Sequence, residues 1–213
     1  MSPTRIVIMA KAPLAGFAKT RLIPALGAAG AAALARRMFE HALQSALAAE
    51  VGPVELCVAP EPADLAWQAL AVPGRVAWSA QCSGDLGARM ADAVQRTVYQ
   101  SERVLLIGTD CPSLSTEHLR AAATGLSNHD AVLIPSTDGG YVLLGLKRFD
   151  PILFDNMPWS THTVTAETLY RLQGLARSTQ TLPALHDIDE PADLQWLPKD
   201  WADHIKFQNC VHF

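Results

Sequence analysis

Five short, almost wholly apolar runs recur along the chain, and the stretches between them carry helical periodicity. The runs are Arg5–Ala10 (RIVIMA), Val54–Ala59 (VELCVA), Arg75–Trp78, Arg103–Ile107 (RVLLI) and Asp130–Pro135 (DAVLIP). A strand with one wet face alternates apolar and polar residues. A strand covered by helices on both faces is apolar throughout, and these runs are of that kind. Ala28–Ala49 places Leu34, Met38, Ala42 and Leu43 on one helical face. Gly87–Gln100 does the same with Met90, Ala93, Val94 and Val98, and Thr116–Leu126 with Leu119, Ala122, Ala123 and Leu126. Ser113 or Ser115 is placed to cap that last helix. Repeated strand–helix alternation predicts an α/β fold with a mostly parallel sheet and right-handed crossovers.

The pattern changes after residue 135. Gly140–Leu146 (GYVLLGL) follows Asp130–Pro135 across Thr137-Asp138-Gly139-Gly140, a link too short for a helix. An antiparallel return is expected there, making the sheet mixed. Thr163–Leu172 reads as a helix, Ser178–Leu182 as a weak strand and Asp193–Leu197 as a short closing helix. The expectation is one domain over 1–213, with 198–213 an irregular tail.

Composition narrows the function. The 213 residues are 49% hydrophobic and 18% charged, enough for one packed core. Lys and Arg number 17 against 21 Asp and Glu, a formal net charge of −4, which argues against a long nucleic acid as partner. No unbroken apolar run approaches the roughly 18 residues of a membrane span. The apolar segment Ile6–Ala10 is too short for the core of a signal peptide, so a cytoplasmic location is expected. Cys57, Cys82, Cys111 and Cys210 form no C-x-x-C pair and read as reduced thiols.

In open α/β sheets ligands bind beyond the carboxyl ends of the strands. The loop after the first run, Lys11 to Arg21, holds Lys11, Lys19 and Arg21 with Gly16, a composition suited to phosphate. It is neither a Walker A loop nor G-x-G-x-x-G. Gly108-Thr109-Asp110-Cys111-Pro112 puts one carboxylate at a strand end, a place for a divalent cation or for a turn cap. Gln81 to Met90 opens a helix, with Gly84 and Gly87 allowing close approach of a ligand and Asp85 available as a cap. Asp138-Gly139-Gly140 suits either a ligand-facing backbone or an ordinary turn. His186-Asp187-Ile188-Asp189-Glu190-Pro191 carries Asp189 as a helix start, while Asp187 has no such structural reason.

Taken in order, AKAPLAGFAKTRL (10–22), QCSGDLGARM (81–90), LIGTDCPSL (106–114), PSTDGGYVLLGL (135–146), WST (159–161) and HDIDEPADL (186–194) resemble one family. It is that of the small bacterial glycosyltransferases of the nucleotide-diphospho-sugar transferase superfamily, often named as transferases associated with radical-SAM or selenoprotein neighbours or with arsenosugar biosynthesis. Phospholactate and molybdopterin guanylyltransferases are more distant relatives. The resemblance implies a GT-A type fold and use of Mg²⁺ or Mn²⁺. It implies that Lys11, Lys19 and Arg21 face nucleotide phosphates, with Gln81, Gly84 and Arg89 near the nucleotide and Gly139 and Gly140 near the transferred group. It places Asp110 on the metal, with Asp187 or Asp189 completing the site. The G-x-G-x-R-M loop of many nucleotidyltransferases is absent, and a D-x-D motif is not intact at Thr109-Asp110-Cys111.

The function expected is transfer of a sugar from a nucleotide diphosphate to a small acceptor, with Asp138 or Asp85 as general base. The alternatives are a nucleotidyltransferase releasing pyrophosphate from a nucleoside triphosphate, and a non-catalytic nucleotide-binding protein.

Overall fold

The computed structural model describes residues 3–100 and 102–201. Seven strands form one sheet: β1 Thr4–Lys11, β2 Val54–Ala59, β3 Ala77–Ala80, β4 Arg103–Ile107, β5 Ala131–Pro135, β6 Tyr141–Leu146 and β7 Thr179–Thr181. Their spatial order is β3-β2-β1-β4-β6-β5-β7. The pairs β1–β2, β1–β4, β2–β3 and β5–β7 are parallel, whereas β6 runs antiparallel to both β4 and β5. This is the mixed, mostly parallel α/β sheet that the apolar runs and the short 136–140 link imply.

The unbroken apolar runs are explained by the two packed faces. Ile6, Ile8, Leu56, Val58, Leu105 and Ile107 point to one core with Phe39, Leu43 and Ala46 of α1 (Ile23–Ala49) and Leu119, Ala122 and Leu126 of the helix Thr116–Asn128. Val7, Cys57, Val104, Leu106, Leu133 and Leu144 point to the other core. There they meet Met90, Ala93 and Val94 of α2 (Leu86–Tyr99), and Leu172. In chain order the helix Thr116–Asn128 is α3 and Val164–Gly174 is α4.

Several boundaries differ from the sequence expectation. α1 begins at Ile23, but Gly27 at φ 70° and ψ 165° interrupts it, so the regular helix starts where periodicity placed it, at Ala28. β3 lies two residues later than expected, because Val76 closes a turn onto the Pro73 carbonyl before pairing begins. Residues Pro191–Trp196 form the closing helix, of 3₁₀ type and displaced toward the N-terminus. α3 is capped at Ser115, whose N–H donates to His118 Nδ1 at 3.2 Å.

The segment Thr20–Ala49 is long and apolar enough to cross a membrane by length and composition alone. Its alanines raise hydropathy without an unbroken apolar run; here Phe39 and Leu43 lie against the sheet, and Leu26, Leu34 and Met38 pack with Ile188, Leu197 and Trp201. The expected irregular tail starts as helix at residues 199–201, and Trp201 is buried under Arg37, whose guanidinium sits 4.7 Å from its ring. Residues 202–213, including Cys210, lie outside the described residues. Among the described residues, Cys57, Cys82 and Cys111 form no disulfide with one another.

Candidate active site

The strand order reverses its direction of growth between β1 and β4, so the loops after these two strands diverge and leave a crevice at their carboxyl ends. The loop after β1 carries the basic residues, and the loop after β4 carries Asp110. A third segment joins them. Ser136 bridges to Leu185 as a short parallel extension of the sheet, and the Ile188 N–H donates to the Asp110 carbonyl at 2.8 Å. The 186–190 stretch is thereby laid beside Asp110.

Lys19 is the centre of this arrangement. It adopts a left-handed backbone, φ 48° and ψ 46°, ahead of the short turn Thr20–Leu22. Its Nζ lies 2.8 Å from Asp110 Oδ1, 2.6 Å from Asp189 Oδ1 and 2.6 Å from the Ile188 carbonyl oxygen. The Lys19 side chain is only 8% exposed, while those of Asp110 and Asp189 are 50% and 42% exposed. Burial alone lowers the pKa of this ammonium, but the two carboxylates outweigh burial and raise it, so Lys19 is charged.

Beside this triad opens a pocket of about 380 Å³, bordered by Arg21, Asp138, Asp187, Asp189, Glu190 and Trp196 among others. Asp187 is pushed up to about 6 by burial first, and then by the charges of Asp138 and Asp189. Arg21 stands at the rim, 66% exposed, with its guanidinium 3.9 Å from Glu190. One wall was not legible in the sequence. His186 stacks on Trp196 with centroids 4.0 Å apart and planes 10° from parallel, and its Nδ1 meets Thr137 Oγ1 at 2.8 Å. Ten residues separate the pair, and the turn at Glu190-Pro191 that folds one back on the other is the only signal that announces them.

Asp138 forms the turn entering β6. Its Oδ1 accepts the Gly140 N–H at 2.8 Å and also the Ser136 hydroxyl. Gly139 sits at φ 95° directly under the main chain of His162. Thr165 donates its N–H to the Gly139 carbonyl at 2.9 Å, which pins the start of α4 to the glycine turn.

The remaining sequence-derived candidates form a second group, at the ends of β2 and β3. The Gln81 amide nitrogen donates to the Ala10 carbonyl at 3.2 Å and the Cys57 carbonyl at 3.0 Å. Its Oε1 receives Arg89 at 3.4 Å, and Arg89 Nε donates to the Gly84 carbonyl at 3.1 Å. Gln81 therefore fixes the loop and aims Arg89. Asp85 caps α2 by accepting the Ala88 N–H at 2.8 Å. Lys11 is exposed at the end of β1. Of the expected site, the structure joins Lys19, Asp110 and Asp189, with Asp138, Asp187 and Arg21 around the adjoining pocket. Gln81, Gly84, Asp85 and Arg89 form a second group after β3, tied by Gln81 to the carbonyls of Ala10 in β1 and Cys57 in β2.

Carboxylate oxygens are hard donors suited to Mg²⁺ or Mn²⁺. Among the described residues no group of three ligating side chains is preassembled for a metal. Asp110 Oδ1 and Asp189 Oδ1 nevertheless already face one point, the Lys19 nitrogen. Two such carboxylates fit an ion that completes its shell with water or phosphate oxygens, as Mg²⁺ commonly does.

The whole chain is similar to solved structures. A protein from Desulfovibrio desulfuricans G20, proposed to be a nucleotide-diphospho-sugar transferase, shares 30% identity with TM-score 0.88, covering 98% of this chain and 96% of its own. The 4-diphosphocytidyl-2C-methyl-D-erythritol synthase of Anaerococcus prevotii DSM 20548 shares the fold at TM-score 0.62 and 13% identity, covering 96% and 99%. Rv0371c of Mycobacterium tuberculosis H37Rv, in a complex with manganese, does so at TM-score 0.52 and 15% identity, covering 92% and 98%. The architecture is thus that of the nucleotidyl and sugar transferases. No curated protein matches the sequence significantly. Residues 42–161, more than half of the chain, match the family described as uncharacterized proteins conserved in bacteria (DUF2064), and the chain belongs to that family.

Proposed function

We propose that this protein is a metal-dependent glycosyltransferase that takes a nucleotide-diphosphate sugar and a small acceptor. The observation that carries the proposal is the meeting of Lys19, Asp110 and Asp189 at the crevice between β1 and β4, next to a pocket wide enough for a small molecule. The similarity to a protein proposed to use such donors, and the manganese complex of a protein of the same fold, agree with it.

Breaking the bond between sugar and diphosphate leaves negative charge on the leaving phosphate oxygens. Lys19 and Arg21 would stabilise that charge, which is greater in the transition state than in the ground state. Asp110, with Asp189 or Asp187, would hold the divalent ion. When bound, such an ion neutralises charge on the leaving diphosphate. Asp138 lines the pocket and would accept the proton of the acceptor hydroxyl.

Nucleotidyl transfer from a triphosphate is the second reading, favoured by the fold shared with a 4-diphosphocytidyl synthase. The first loop supports the sugar donor instead. The N–H groups of Leu14, Phe17 and Ala18 are already spent on the carbonyls of Ala12 and Leu14, and Pro13 has none. Between Ala12 and Ala18 this leaves the N–H groups of Ala15 and Gly16 for a phosphate.

The test is a thermal-shift screen of nucleoside diphosphates, triphosphates and nucleotide sugars with Mg²⁺ and Mn²⁺, followed by product analysis. Release of a nucleoside diphosphate, abolished in Asp110→Asn with the fold retained, is the expected result. Asp110-dependent release of pyrophosphate establishes nucleotidyl transfer. Binding without turnover across the acceptor screen establishes a binding protein.

A further inference from the structure

The ammonium of Lys19 is bound by three oxygens from two other loops, Asp110 Oδ1, Asp189 Oδ1 and the Ile188 carbonyl, all within 2.8 Å. This is not a surface ion pair, because the lysine is almost fully buried while its carboxylate partners remain half exposed. Oxygen donors converging on one point with two negative charges are the surroundings that a hard divalent cation takes. Here the point belongs to a side chain of the protein itself.

We propose that Lys19 is a resident cation occupying the position between Asp110 and Asp189, and that a divalent ion gains these carboxylates only by displacing Lys19, a displacement that a phosphate ready to receive the ammonium makes easier. The inference rests on reading Asp110 and Asp189 as carboxylates that face a nucleotide-bound ion. With Lys19 in place, an incoming divalent ion meets a fixed positive charge a few ångströms away and only one net negative charge. A diphosphate changes both conditions. It brings its own negative charge to the ion and offers Lys19 new oxygen partners. Release then needs a swing of the four-carbon Lys19 side chain, whose left-handed backbone position leads into the turn Thr20–Leu22. Metal and diphosphate therefore bind together, and the free protein holds the metal poorly.

The test uses Mn²⁺ alone, titrated into the protein and read as free Mn²⁺ by electron paramagnetic resonance. Lys19→Met is expected to bind Mn²⁺ roughly tenfold more tightly than the parent or better, since a like charge at about 4 Å is removed from a partly buried site. Lys11→Met, which removes an exposed charge from the same loop, should leave the affinity within about twofold of the parent. Equal affinities for the parent and Lys19→Met overturn the proposal, as does an equal gain in Lys11→Met. Should Lys19→Met fail to fold, the parent chain decides the matter. Acylation of Lys19 by an N-hydroxysuccinimide ester, followed by mass spectrometry, should be slow in the free protein and accelerate as Mn²⁺ is raised, and a constant rate overturns the proposal. None of these readouts involves turnover. A failed activity screen with a tighter Lys19→Met site removes the proposed function and leaves the resident cation standing. The reverse pattern removes the resident cation alone.

Discussion

Gly139 packs so closely beneath the main chain of His162 that a methyl group at position 139 would overlap the His162 carbonyl. It also holds φ at 95°, a conformation that side-chain-bearing residues adopt at a cost. Gly139→Ala is therefore expected to lose about 2 kcal/mol, from backbone strain and displacement of the 159–163 segment. For a chain of this size that is a fall of roughly 4–8 °C in Tm. Calorimetry of the two proteins checks it, and a Tm within about one degree of the parent would show that the 159–163 segment moves aside without cost.

Asp85 serves as a cap, and its variants separate that role from catalysis. Asp85→Ser keeps an oxygen for the Ala88 N–H and should retain both stability and turnover. Asp85→Ala should cost about 1 kcal/mol with turnover intact at temperatures where the protein stays folded. Urea unfolding and an activity assay on the same preparations decide it. A large loss of kcat in the stable Asp85→Ser variant would establish Asp85 as a catalytic acid or base.

The parts of this molecule legible in the sequence are those governed by local physics. Val54–Ala59 and Arg103–Ile107 read as buried strands because both of their faces are covered, and they are strands over those same residues. Asp138-Gly139-Gly140 read as a short return for reasons of chain length alone. Asp110 and Lys19 could be singled out by residue type and strand-end position. Their direct contact could not, because it depends on the Ile188-to-Asp110 main-chain bond and on the side-by-side packing of loops remote in sequence. The same holds for His186 on Trp196, and for Gln81, whose amide reads as a free ligand group until its two carbonyl partners are seen.

His41 makes stability depend on pH. Its Nε2 is buried without a hydrogen-bond partner among the described residues, and its ring meets Trp201 edge-on at 5.4 Å. Burial lowers its pKa from the ordinary 6.5, with a smaller opposing effect from the Leu114 main chain. The unfolded chain therefore takes up a proton at a higher pH than the native state does. The contribution of neutral His41 to stability is complete above 6.5 and is lost as pH falls below it toward the native pKa. Unfolding free energies measured between about pH 7.5 and pH 5.5 should fall more steeply for the parent than for His41→Gln. Parallel curves would mean that His41 is solvated in the native protein.

Asp138 carries the last prediction, which divides its structural role from its chemical one. One carboxylate oxygen already accepts the Gly140 N–H and the Ser136 hydroxyl, and the residue lines the pocket. An asparagine offers the same acceptor to the turn but cannot take a proton from an acceptor hydroxyl. Asp138→Asn should therefore unfold within about 0.5 kcal/mol of the parent, as a substitution that leaves packing and turn unchanged. Its kcat should fall by roughly 10²–10⁴, the usual contribution of a positioned general base, with little change in the binding of nucleotide. Asp138→Ala should lose both, because the turn goes with the carboxylate and Gly139 is no longer held under His162. The measurements are thermal unfolding, nucleotide-dependent shifts and nucleoside diphosphate release on all three proteins. If Asp138→Asn turns over as fast as the parent, Asp138 is a turn-former only. The base then has to be sought across the pocket at Asp187, the neighbouring carboxyl that burial and like charge hold up to about 6.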